Sequence, residues 1–576
     1  MNNYTAMTIG PIIKTFSTTR KSRELCGASY MFSYIMRKII DEIGDKSKLC
    51  LPFHNEMNTL YKGLGAGLFP DRLIYEGDIK STIDGFGNKI IKEIADGSGL
   101  PEDYLRNYIR IDSVVYSLPL PVFSKINSTK SDDEIEKSNR NIVMVGNKLL
   151  DSIELKEKYC QEITHIDWRK AIDKLNGQLF YPAAFSKKQG DNFCFPSLIE
   201  IATDDFSQIK EYENEYKGLV KELNSKTDNK QKQDEKQDEQ DVFIQSLKQL
   251  GLSPSKPERL KSFQFRNYHQ YVAVVQSDGD DIGQTIASIG NDPEKIRHFS
   301  TALFDFSVEA TKAIKAYGGK GVYAGGDDLL FFAPVAVWTD KDKDNQTQPY
   351  FRTVFTLIKQ IDDIFEQKVV KNVNLNNLYQ GKIKPPTMSY GVSINYYKFP
   401  LNEAKDNALS LLWKIKNEIT DKNKINYKLR KHSGQTFGFK IDKKQINGSP
   451  NKSFGYFMEL TSKIPLEKDL LASVIYKLKP MYPLLKAIAD DNDRLTAFFT
   501  QEFDLDSKKE KDMSATEKLV NEYILTIKDY FHQLSVDYCN DNNDLPGIET
   551  EEDTTNIGKL YSALRFLKFV TDESDE

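Results

Sequence analysis

The sequence predicts an α+β protein of several domains, with a ferredoxin-like β-α-β-β-α-β order near its centre. Three observations carry this. The β-branched run Tyr271-Val-Ala-Val-Val275 ends in Ser277-Asp-Gly-Asp-Asp-Ile-Gly283. The turn Gly325-Gly-Asp-Asp328 sits between two apolar runs. A long stretch with helical spacing of apolar residues separates the two.

Taken in order, Tyr271–Val275 reads as a buried strand, because β-branched residues suit a pleated, covered surface. From about Pro293 to Tyr317, apolar residues recur at helical spacing (Ile296, Phe299, Leu303, Phe306, Ala310, Ile314), and Gly318-Gly319 marks the stop. Gly321–Ala324 and Leu329–Ala333 flank the glycine turn as strands. Phe351–Val370 suits a second helix, Thr387–Tyr396 a fourth strand and Asn402–Asn417 a third helix. This is the split βαβ order.

With 576 residues the chain exceeds a single core, and about three or four domains are expected. No stretch approaches the roughly 20 apolar residues of a membrane span. The start lacks the charged and apolar regions of a signal peptide. Cys26, Cys50, Cys160, Cys194 and Cys539 are scattered, with no C-x-x-C pair, so neither a zinc ribbon nor a disulfide framework is expected. A reducing cytoplasm fits this usage. A net charge of -5 argues against a whole-protein nucleic-acid clamp, yet 79 Lys and Arg residues leave room for local basic faces.

Lys221–Asp241 is almost devoid of apolar residues and reads as a mobile loop or linker, with a charged solvated helix as the alternative. Val242–Leu252 reads as a short helix, and Pro254 and Pro257 mark the approach to a new domain. About Ser453 to Val570 is helical in pattern, broken near Ala489–Asp493 and Asn540–Pro546; a helical bundle for partner contact is the plain reading. Near the N-terminus, Gly27-Ala-Ser-Tyr30 precedes an amphipathic helix through Ile40, and Gly63–Ile74 resembles a glycine turn entering a strand.

In the split βαβ order the first and third strands are central neighbours. The end of the first strand then lies beside the turn between the second and third. Asp278 therefore converges with Asp327 and Asp328. Carboxylates a few Å apart repel, and a divalent cation turns that cost into function. Hard oxygen ligands without His or Cys point to Mg2+ or Mn2+. Two such ions could activate a 3′ hydroxyl and stabilise a pyrophosphate leaving group. Gly279 and Gly283 would leave backbone room for a triphosphate, beside Gly325 and Gly326. Asp280 reads as a loop or cap residue within the expected nucleotide-binding set, which also takes in Asp281. Asp281 reads equally as a ligand or a solvated carboxylate. Ser29, near an expected helix start, could offer its hydroxyl and amides to phosphate, and Lys414 could reach one. Lys14, Arg20, Lys21 and Arg23 form a basic cluster, either a solvated face or a contact to RNA or triphosphate. The six histidines show no His-Asp pair; His165 matches such a site only superficially, and His432 reads as a turn.

These motifs resemble the large polymerase/cyclase-like subunit of type III CRISPR effector complexes, most like the type III-B (Cmr) branch. Asp278-Gly-Asp280 and Gly325-Gly-Asp-Asp328 look like its second Palm domain. Ile9-Gly-Pro-Ile-Ile-Lys-Thr-Phe16, Arg20–Tyr30 and Leu68-Phe-Pro-Asp-Arg-Leu73 resemble its first. The resemblance implies two ferredoxin-like Palm domains alternating with two mostly helical domains: 1–130, an inactive first Palm binding nucleotide across the interface; 131–260, helical; 261–445, the second Palm; and 446–576, helical. It implies conversion of ATP to cyclic oligoadenylate or a related adenylated messenger when target RNA is captured, with Asp278, Asp327 and Asp328 holding the metals. S-adenosylmethionine is a possible AMP acceptor. Guide RNA, target RNA and the stalk and small Cmr subunits are the implied partners. Many relatives begin with an HD nuclease domain or carry a cysteine-rich zinc element. Neither pattern occurs here, so no nuclease activity of that type is expected. The rivals are a catalytically inactive scaffold in the same complex and a free-standing GGDEF-like cyclase.

Overall fold

The computed structural model describes residues 3–56, 64–118, 140–155, 168–175, 196–229, 235–251, 263–339, 350–373, 385–418, 422–443, 451–464, 469–507, 512–538 and 555–573. Cys160, His165, Cys194, Pro254, Pro257, Cys539 and the Asn540–Pro546 interruption lie outside them.

Two sheets carry the α+β architecture. The first is built from β1 (Asn3–Gly10), β2 (Leu49–Leu51), β3 (Arg72–Glu76) and β4 (Arg110–Ser117), in the order β2-β3-β1-β4. Helices α1 (Ile12–Thr18) and α2 (Ser22–Glu42) connect β1 to β2. Helices α3 (Lys80–Ser98) and α4 (Glu102–Tyr108) connect β3 to β4. The buried side of α2, including Leu25, Met31, Ile35, Met36 and Ile39, supplies much of this core. The helix starts at Ser22, upstream of the start expected from Gly27–Tyr30, so Ser29 lies inside it. Glu24 at its third position accepts from the Lys21 amide at 3.2 Å, which secures that earlier start.

The second sheet holds β5 (Tyr271–Asp280), β6 (Lys320–Gly325), β7 (Asp328–Pro334), β10 (Thr387–Tyr396) and β11 (Lys424–Arg430), with two short strands beyond. Its path ends β11-β10-β5-β7-β6. Strands β5, β7, β6 and β10 are mutually antiparallel where they pair, which is the split βαβ order. Between β5 and β6 run two helices rather than one, Ile282–Ile289 and Pro293–Ala316; the Gly290 that ends the first has a positive φ of 78°. A two-stranded ribbon (β8, Ala336–Thr339; β9, Tyr350–Thr353) precedes the helix Val354–Phe365, so the expected helix at Phe351 begins three residues later.

The helix Leu401–Lys416 lies directly on β10. A Cβ on Gly391 would come within 2.0 Å of the Ala408 carbonyl and 2.6 Å of the Leu412 amide. Only glycine permits that approach. The result is that the last turn of this helix stands over the end of β5.

The charged segment Lys221–Asp241 is not a loop where it is described. It belongs to the helices Glu213–Asn229 and Glu235–Gly251. Glu, Lys and Gln are good helix formers, and Leu223, Phe243, Ile244 and Leu247 give the pair buried anchors. Six helices, from Lys452–Ser462 to Asn556–Thr571, form the C-terminal region among the described residues. No described helix is long and apolar enough to cross a membrane.

Candidate metal centre

The antiparallel register sets the site. Ser277 of β5 pairs with Leu329 of β7, and Gly325 of β6 pairs with Asp328. The end of β5 and the β6–β7 turn therefore stand side by side. One carboxylate oxygen from each of Asp278, Asp327 and Asp328 lies within 4.8 Å of the others.

Glycines shape this corner in two distinct ways. Gly326 adopts a positive φ of 80°, which closes the turn. Gly325 is required by crowding: a Cβ there would fall 2.0 Å from the Tyr323 hydroxyl, which folds back over it. Gly279 answers to a contact within the protein. Its missing side chain makes room for Asp327, whose Oδ2 would sit 2.7 Å and Cβ 2.8 Å from a Cβ at 279. Gly283 has open space around it.

The electrostatics are unfavourable without a cation. Burial, then the neighbouring Asp278 charge, pushes Asp327 up from 3.8 to about 6. Asp328 is raised too, by desolvation and by the charges of Asp327 and Asp278. Asp328 is an exposed residue, so the repulsion weighs more there than burial. Asp71, from the loop before β3 in the first sheet, adds to the same negative field. Three hard oxygen donors of this kind fit Mg2+ or Mn2+.

Several expected residues take other places. Asp280 is no loop or cap residue. Its side chain is buried and accepts from Thr387 Oγ1 (2.8 Å), Ser389 Oγ (2.8 Å), the Asn423 amide (2.9 Å) and Lys416 Nζ (2.7 Å). Its oxygens tie β5 to β10, to the start of β11 and to the helix that carries Lys416. Asp281 starts the following helix with φ 60° and lies 3.7 Å from Lys422 Nζ. Ser29, mid-helix and buried, donates its hydroxyl to the Val322 carbonyl at 2.8 Å, joining the first sheet's unit to β6. It is not near a helix start, and its amide belongs to the helix interior. Lys414 is exposed on the outer side of its helix, and the lysine that reaches the corner is Lys416. Lys416 shares the inward side with Leu412, one turn earlier, and this spacing was the available sequence signal. Its Nζ is 2.9 Å from Asp278 Oδ2 and 2.9 Å from each of the Asp278 and Gly279 carbonyls. Thr387, Ser389 and Asn423 carried no comparable signal.

The first sheet's unit touches the second through more than Ser29. The Gly67 amide donates to Val322 O at 3.0 Å, and Ala324 N donates to Gly67 O at 2.8 Å. Lys320 Nζ bonds Gly65 O at 2.9 Å. A cavity of about 510 Å³ is lined by residues of the first sheet's unit, among them Arg37, Phe53, His54 and Phe69, and not by the three carboxylates.

Comparison with known proteins follows the same geometry. The family model described as Cas10/Cmr2, second palm domain, matches residues 271–426. The CRISPR system Cmr subunit Cmr2 of Pyrococcus furiosus is 24% identical over 299 residues, covering 45% of this chain and 32% of that protein. The chain thus spans about a third of that relative's length. A chain in the cryo-EM structure of the apo type III-B Cmr-beta complex matches in fold with a TM-score of 0.54 at 12% identity, covering 98% of this chain and 81% of that one. Residues 271–426 therefore resemble the second palm domain of Cas10/Cmr2 proteins, and the fold of the chain as a whole is similar to that of the type III-B Cmr-beta chain.

Proposed function

We propose that this protein is the metal-dependent nucleotidyltransferase subunit of a type III, Cmr-like RNA-guided complex, acting on ATP when target RNA is bound. The convergence of Asp278, Asp327 and Asp328 at one corner of a domain that resembles the Cas10/Cmr2 palm carries the reading. These three would hold Mg2+ or Mn2+, whose chemistry would be to activate a 3′ hydroxyl and to stabilise a pyrophosphate leaving group. Asp280 and Lys416 keep the end of β5 in place. Gly283, in open space, leaves an approach for polyphosphate. The product class is cyclic oligoadenylate or a related adenylated molecule, including AMP joined to S-adenosylmethionine. Guide RNA, target RNA and other Cmr-type subunits are the proposed partners, and the cytoplasm the proposed location.

The test is the assembled complex with target RNA, labelled ATP and Mn2+, its products identified by mass spectrometry with and without S-adenosylmethionine. Adenylated product from wild type and none from D327N/D328N is the expected result. Equal background from both overturns the enzyme reading and leaves a scaffold.

A further inference from the structure

Lys416 is placed unlike a lysine that awaits a phosphate. Its ammonium has three hydrogens and meets four acceptors: Asp278 Oδ2, Asp280 Oδ1 and the main-chain oxygens of Asp278 and Gly279. Its side chain is only 8% exposed. The stem is held by a helix that Gly391 seats against β10, so the charge is delivered to this corner by the fold. Two of its contacts serve different ends. Asp280 is a buried structural anchor, whereas Asp278 belongs to the three-carboxylate cluster.

We propose that Lys416 is a positioning residue that acts as a built-in counter-cation for Asp278, holding the Asp278-Gly279-Asp280 corner in shape without metal and keeping the cluster's affinity for divalent ions low. The proposal rests on the metal-dependent reading of the site. A divalent ion at Asp278 competes for an oxygen the lysine already engages, and it does so beside a fixed positive charge. Removing the charge while keeping hydrogen-bond donors should therefore favour metal. Removing a plain tether, or a phosphate ligand, should not.

Mn2+ titration of the full chain without nucleotide, by calorimetry, separates these cases. K416Q is expected to bind Mn2+ about tenfold more tightly than wild type, and K416R to return to the wild-type value. With EDTA, K416Q should melt below wild type, and Mn2+ should close most of that gap. Unchanged Mn2+ affinity in K416Q, or a melting deficit equal with and without Mn2+, overturns the proposal and leaves Lys416 a structural tether. Should K416Q not fold, reductive methylation of wild type followed by mass spectrometry reads the same contact. Lys416 should react faster in Mn2+ than in EDTA, and equal rates overturn the proposal. If wild type, K416Q and D327N/D328N all fail to bind Mn2+, the metal reading itself falls, and this proposal with it.

Discussion

The first sheet, β2-β3-β1-β4, and the core of the second, β6-β7-β5-β10, run through their strands in the same order but differ at corresponding ends. In the second sheet, β5 ends in Asp278-Gly-Asp280, and a two-residue turn, Gly326-Asp327, joins β6 to β7. In the first, β1 ends in Ile9-Gly10, and the chain from Leu51 to Arg72 takes a long excursion before β3. The excursion does not present a matching carboxylate cluster among the described residues; it packs Gly65–Gly67 against β6 instead. The same strand order thus carries a carboxylate cluster in one sheet and, in the other, packs beside it. The difference lies in a few residues at the strand tips, not in the sheets.

The largest effect should come from the tips themselves. D327A or D328A is expected to lower adenylated product at least about a thousandfold, as removal of a charge-stabilising centre does, measured with the complete complex. Next is a matched glycine pair. G279A places a methyl 2.7 Å from Asp327 Oδ2 and should cost about a hundredfold in product. G10A, at the end of β1, meets nothing nearer than the Ile12 amide at 4.0 Å and should leave activity within about twofold. Equal losses in the two variants would break the comparison. Third, G67A sets a Cβ 2.5 Å from Ser29 Oγ and 3.0 Å from the Ser29 carbonyl. It should destabilise the chain by about 1–3 kcal/mol, read by thermal or urea unfolding, with S29A costing about 1 kcal/mol.

The smallest effect is electrostatic. Asp327 titrates near 6 in the fold against an ordinary 3.8, so the folded state holds its proton more tightly than the unfolded chain. The contribution of Asp327 to metal-free stability is therefore fully present below about pH 4 and is lost as pH rises through about 6. Melting curves in EDTA should show the stability of wild type relative to D327N falling across this window. Mn2+, which favours the ionised form, should flatten the wild-type profile.

The acidic corner was legible because strand, helix and glycine-turn signals are local and the split βαβ order then brings Asp278 to Asp327 and Asp328. What escaped depends on contacts between distant segments. Lys416 reaches Asp278 only because Gly391 lets a helix settle onto β10, and no window of sequence contains both facts. Asp280 looked like a loop residue because its partners, Thr387, Ser389 and Asn423, lie more than a hundred positions away. Ser29 was misplaced because the helix begins upstream, secured by Glu24. The charged run after Lys221 hid its helices because its buried anchors, Leu223 and Phe243 among them, are sparse.

The Gly67 contact has one more consequence. β6 is the outermost strand on its side of the second sheet, and such a strand ordinarily presents unpaired amides and carbonyls to any passing chain. Here Gly67 satisfies Val322 O and Ala324 N, and Ser29 adds a second donor to Val322 O. The N-terminal unit is thus a cap on a sheet edge. A fragment beginning near residue 261 would keep all three carboxylates yet expose that edge, and it would be prone to pair with copies of itself.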